Sequence, residues 1–125
     1  MNVTPTDALN LDEIGRVKQL FLNSPEKLDM TNPQPTRISK GGKIIGRSCC
    51  VAGIVRTLHP HLNHADGTDA IAQAFGCDRR SADNIFVALF TEKTLQDITV
   101  KDVVRALDEL ATTGRVRRYD DPVEA

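Results

Sequence analysis

The stretch from Ser48 to His64, SCCVAGIVRTLHPHLNH, holds Cys49, Cys50, His59, His61 and His64 in a short span. Thiolates and imidazoles are the ligands of zinc, and a cysteine in contact with a histidine base is a nucleophile. Spacing decides between those chemistries and an ordinary helix with a polar end. Wound at 100° per residue, Cys50, Val51, Ile54, Val55 and Leu58 form one apolar stripe, so Cys50 belongs to the core. Cys49 is then expected on the side that carries Arg56. With an unbroken helix from Ser48 to Leu58, His59 lies roughly 15 Å beyond Cys49 at 1.5 Å per residue. Neither a shared ion nor a Cys49–His59 dyad survives that separation. The stretch lacks C-x-x-C and H-x-x-x-H spacing. Cys77 joins the two thiols only if the next helix returns antiparallel, and three thiols still want a fourth ligand. A place in the first helical turn would lower the pKa of Cys49, but no base is identifiable beside it. The expectation is structural cysteines, with no catalytic residue, no metal and no cofactor.

The elements around this stretch follow from periodicity and caps. After Thr6 and Asp7, the positions Ile14, Val17, Leu20 and Phe21 stripe a first helix that Pro25 closes. Residues 26–47 carry prolines and glycines and read as irregular. Within them RISKGGKII reads as a short hairpin turning at Gly41-Gly42. Ser48 is the expected N-cap of the second helix, and Pro60 ends it. A third helix runs from about Thr68 to Phe75 with Gly76 at its C′ position. Ala82, Ile85, Phe86 and Leu89 stripe a fourth. In the fifth, Thr99 and Asp102 resemble a capping box, Val100, Val103, Val104, Leu107 and Leu110 form the stripe, and Gly114 stops it. The segment RVRRY (115–119) reads as a last short strand that pairs with the hairpin. The fold class is therefore mainly α: one compact five-helix domain over 1–125 with a small β element, ending in an acidic tail at 119–125.

Composition excludes several classes. An apolar content of 40% suits a folded domain with one core. Sixteen basic residues against seventeen acidic ones leave a net charge of −1, so global charge selects no polyanion partner. The N-terminal residues lack the basic flank and apolar run of a signal peptide, and no apolar run approaches the roughly 20 residues of a membrane span. With three cysteines and no secretion signal, reduced thiols in the cytoplasm are expected, with no membrane association.

Two local signals concern nucleic acid. DAIAQAFGCDRRSADNI fits a helix-turn-helix register, with Arg79 and Arg80 at the start of the recognition helix. Asp78 and Asp83 oppose it, and any tight αα-hairpin shares its apolar spacing. The second signal is a basic cluster. Arg37, Lys40, Lys43 and Arg47 occur without an intervening acid, and Arg115, Arg117 and Arg118 crowd the last strand. If the two segments pair, seven of the sixteen basic side chains gather on one β element and hold phosphates in a salt-sensitive way.

Read together, NSPEKLDM (23–30), CCVAG (49–53), AQAFG (72–76), ADNIF (82–86) and TVKDVVRALDELATTG (99–114) resemble a group of uncharacterised small bacterial and phage-encoded helical proteins. The resemblance covers most of the chain. It implies a compact helical domain in which Gly53 lets helices approach closely, and it implies no activity. The TRISKGGKIIG insertion departs from the pattern and marks where a function peculiar to this chain is expected. The functional expectation is a non-enzymatic protein-interaction module, a phage or prophage accessory factor that binds and inhibits or modulates a host or defence protein. A helix-turn-helix DNA-binding regulator is the alternative. The contact candidates are the nine basic residues named above, for a protein partner first and nucleic acid second.

Overall fold

The computed structural model describes residues 9–121. Among the described residues, five α-helices form in chain order: α1 Leu11–Asn23, α2 Val51–Leu58, α3 Gly67–Phe75, α4 Arg79–Phe86 and α5 Val100–Thr113. Short 3-10 turns follow α1 (Pro25–Lys27) and α2 (Pro60–Leu62) and precede α5 (Leu95–Asp97). Thr6 and Asp7, read as the start of the first helix, lie outside the described residues, as does Glu124 of the tail. The cap of α1 is Asn10, whose side-chain oxygen accepts from the Glu13 amide. None of the helices described is long and apolar enough to cross a membrane.

The stripes meet in one core. Ile14, Val17, Leu20 and Phe21 of α1 are buried, as are Ile54 and Val55 of α2, Ile71 and Phe75 of α3, Ile85 of α4, and Val103, Leu107 and Leu110 of α5. The closest packing is α3 on α4, with α1 laid on α5 and α2 on α3. Two helix ends follow glycine chemistry: Gly76 after α3 and Gly114 after α5 take positive φ of 66° and 82°. The fourth stripe stops short of Leu89. The helix ends at Phe86, and Ala88 takes a φ of 59° in the turn that follows.

The Thr99–Asp102 capping box forms as expected. The Thr99 backbone N–H donates to the Asp102 carboxylate at 2.9 Å, and Lys93 Nζ donates to it at 2.8 Å. Burial pushes the Asp102 carboxyl up, but the bonds from Lys93 and Thr99 and the Lys93 charge outweigh it and hold the group below its ordinary value. A depressed carboxyl stabilises the fold above its unfolded pKa and loses that contribution as pH falls through the folded one. Asp102→Asn is therefore expected to cost about 1 kcal/mol at neutral pH. The gap between its melting temperature and the parent's should close on acidification below pH ~4.

The expected β element does not form. Among the described residues, β structure amounts to two isolated bridges, Ile38 with Ile44 (antiparallel) and Leu28 with Cys49 (parallel). The hairpin turn is present, but side chains at the end of α1 bind its backbone where a second strand was expected. Asn23 Nδ2 donates to the Gly42 carbonyl at 3.1 Å, Lys27 Nζ donates to that of Gly46 at 2.8 Å, and the Ile44 N–H donates to Ser24 Oγ at 3.0 Å. Residues 115–119 do not join the hairpin. The Val116 N–H donates to Ser81 Oγ at 3.0 Å and its carbonyl accepts from Asn84 Nδ2 at 2.9 Å, both buried on α4. With its backbone groups already satisfied there, this segment has no demand for a strand partner.

The second helix also begins later than expected. Its N-cap is Cys50, not Ser48. The Cys49 N–H donates to the Lys27 carbonyl at 3.0 Å, and the Cys49 carbonyl accepts from the Asp29 N–H at 2.9 Å. Those bonds hold Cys49 in an extended bridge and outside the helix.

Candidate functional site

The cysteine and histidine stretch resolves into packing and one polar contact. Cys49 and Cys50 are both buried, so Cys49 does not share the outer side with Arg56. Burial pushes the Cys49 thiol up to about 12, with Cys50 and Asp29 adding to it, and burial raises Cys50 as well. Outside the first helical turn, Cys49 lacks the dipole that lowers a thiol pKa. Cys77 is likewise raised to about 12 by burial and by the neighbouring Asp78. Iodoacetamide is expected to leave Cys49 and Cys50 unmodified in the folded protein and to label all three thiols in denaturant. Intact mass checks this, and rapid labelling of folded Cys49 contradicts it.

His59 caps the C-terminus of α2, and eight helical residues, or about 12 Å of rise, separate it from Cys50. Its Nε2 contacts the Glu13 carboxylate of α1. Glu13 is only 6% exposed, and Arg16 Nη1 lies 3.7 Å from its other oxygen. His61 meets the His59 ring edge-on at 5.9 Å. Among the described residues, no three His, Cys, Asp or Glu side chains come together as a metal cluster.

The helix-turn-helix register exists as α3, the Gly76 turn and α4, but carboxylates take both of its arginines. Arg79 pairs with Asp69, and lies 3.6 Å from Asp66, while Arg80 pairs with Asp121 at 3.0 Å. The two acids expected to repel phosphate have structural partners. Asp78 accepts from the Ser81 amide as the cap of α4, and Asp83 accepts from Thr68 Oγ1 at 2.9 Å.

A groove of about 520 Å³ lies between α5, the turn after α4 and the C-terminal segment. Arg105, Ala106 and Glu109 line it from α5, Phe90, Thr91 and Glu92 from the turn, and Arg117, Arg118, Tyr119 and Asp121 from the chain end. The Val116 bonds to Ser81 and Asn84 set the depth of that end. A bond from the Tyr119 N–H to the Leu89 carbonyl at 2.7 Å sets its height. Its arginines are compensated: Arg105 with Asp102 at 3.2 Å, Arg117 with Glu109 at 3.2 Å and Arg118 with Asp120 at 2.8 Å. Tyr119 is 50% exposed at the rim. The wall can therefore offer an amphipathic ring, and guanidinium and carboxylate groups of both signs, to a partner.

The nine basic candidates thus fall into four settings. Arg117 and Arg118 line the groove, with Arg80 bound to its Asp121 from outside, while Arg79 faces α3. Arg115 is exposed, with its backbone N–H tied to Thr113 Oγ1 at 3.2 Å. Arg37, Lys40, Lys43 and Arg47 stay on the 37–47 loop beside the end of α1, and the single seven-residue basic surface is not assembled. Arg105, Phe90 and Tyr119 were not foreseen as groove residues, and Ser81 and Asn84 were not foreseen as its supports. The available signal was Ser81 and Asn84 flanking the Ala82–Ile85 stripe at i, i+3, where polar side chains face inward and want partners.

Comparison of the chain with protein-family models, with curated proteins and with solved structures returns no match.

Proposed function

We propose that this protein is a non-enzymatic protein-interaction module whose partner docks in the groove between α5 and residues 115–121. The observation that carries this reading is the groove's lining, in which Tyr119 and Phe90 sit among arginines already paired with acids. Tyrosine and arginine are the side chains that dominate protein–protein contacts. Nucleic acid binding draws its affinity from cations that release counterions, and compensated arginines supply little of it. The partner segment complementary to this wall carries both charge signs around an apolar side chain. The resemblance to small bacterial and phage-encoded proteins makes a host or defence protein the partner class to test first, with inhibition or modulation as the effect.

The test is capture from bacterial lysates by the parent and by Tyr119→Ala and Arg117→Ala. Both side chains are exposed, and neither substitution removes core. The parent is expected to retain one dominant stoichiometric partner, which each variant loses about tenfold or more. Equal retention by the variants, or no partner across several hosts, overturns the reading. The second reading, a DNA-binding regulator, is favoured by the formed α3–turn–α4 unit with Arg79 and Arg80 at the start of α4. A duplex mobility shift that persists at physiological salt and fails with Arg80→Ala supports it over the groove.

A further inference from the structure

The 37–47 loop gathers four basic side chains in a short span. Arg37, Lys40, Lys43 and Arg47 are all exposed, and no acid interrupts them in sequence. Among the described residues, none of the four pairs with a carboxylate, whereas Arg79, Arg80, Arg105, Arg117 and Arg118 all do. The loop is also shaped. Ile38 and Ile44 face each other across the antiparallel bridge, with Ile44 buried and Ile38 packed against the core. Alternation along an extended backbone then turns Arg37, Lys43 and Ile45 the other way, outward. Ile45 is 54% exposed. The bonds from Asn23, Ser24 and Lys27 pin this backbone to the end of α1, so little ordering remains to be done on binding.

We propose that this loop is a second docking surface, separate from the groove, and that it takes a short acidic segment of a protein partner. The carboxylates of that segment meet Arg37, Lys40 and Arg47, and an apolar side chain seats on Ile45. Lys43 contributes mainly to the loop itself, since its Nζ donates to the Asn23 carbonyl at 3.0 Å. Charge balance favours a short acidic segment over a nucleic acid. The chain's formal net charge is −1, so the four loop cations leave −5 on the remainder. A rigid duplex extending past the loop meets that negative remainder, while a short segment meets the loop alone. The loop also has no aromatic side chain on which a base could stack, and its exposed apolar group is aliphatic.

The experiment titrates the full chain, by fluorescence anisotropy, with three probes at low and at physiological salt. The probes are an acidic peptide with one central leucine, the same peptide with that leucine replaced by serine, and a short DNA duplex. The leucine peptide is expected to bind best. Combined Arg37→Gln, Lys40→Gln and Arg47→Gln substitution should weaken it about tenfold at low salt, and Ile45→Ser about threefold. These side chains are exposed and donate no side-chain hydrogen bond among the described residues, so coincident thermal melts should show that folding is retained. Tyr119→Ala should leave this titration unchanged, so failure of the groove reading and failure of this one are read separately. The inference is overturned if the leucine peptide does not bind, if the triple variant binds it like the parent, or if the duplex binds as tightly.

Discussion

Gly53→Ala is expected to destabilise the protein by about 2 kcal/mol, and Gly15→Ala to stabilise it by about 1 kcal/mol, although both place alanine inside a helix. Intrinsic propensity favours both changes equally, so packing sets the sign. A Cβ on Gly53 would stand 2.5 Å from the Gln34 carbonyl oxygen, 2.6 Å from Cys49 Cβ and 2.9 Å from Cys49 Sγ. Neither neighbour yields easily: one is backbone, and the other is pinned through both its peptide groups to Lys27 and Asp29. A Cβ on Gly15 would meet nothing within 4 Å. Urea midpoints of the two variants should move in opposite directions. If Gly53→Ala also gains stability, the close approach of α2 to the 30s loop is wrong. That approach refines the expectation for Gly53, which admits a loop carbonyl and a cysteine where a neighbouring helix was foreseen.

The second large effect concerns Glu13 and His59. Removing one member of a largely buried polar pair strands the other, at about 3–5 kcal/mol for a fully buried pair. Here the imidazole is 29% exposed and Arg16 lies near the carboxylate, so His59→Leu is expected to cost about 2 kcal/mol at neutral pH. Replacing both with leucine should recover most of that loss, because no buried carboxylate then remains without its partner. Chemical denaturation of the two single variants and the double variant closes the cycle. Additive losses would show that the α1–α2 contact carries no coupling. The pair also shows a structural part for His59, whose Nε2 ties the end of α2 to a carboxylate of α1.

The groove depends on a longer chain of contacts. Ser81 and Asn84 lie on the inner side of α4, where a stripe of alanine and isoleucine would otherwise continue. They hold Val116, which is buried, and the residues after it reach the groove as a consequence. Function in this reading therefore rests on two buried polar side chains that touch no partner themselves.

Helix identity and most helix ends were legible in residues 9–121 because their causes are local. An apolar stripe repeats within four residues, the Thr99–Asp102 box spans three, and Gly76 and Gly114 act at the next peptide. Thus α5 begins and ends where its caps say, and all four apolar positions named for α1 are buried. What the sequence alone could not decide lies in bonds between distant residues. Lys27 and Asp29 take the peptide groups of Cys49 and delay α2, and Ser81 and Asn84 take those of Val116 and remove the last strand. An extended segment needs partners for its N–H and C=O groups. Which groups supply them across twenty or thirty residues is settled only when the helices pack, and so is which arginines retain free charge.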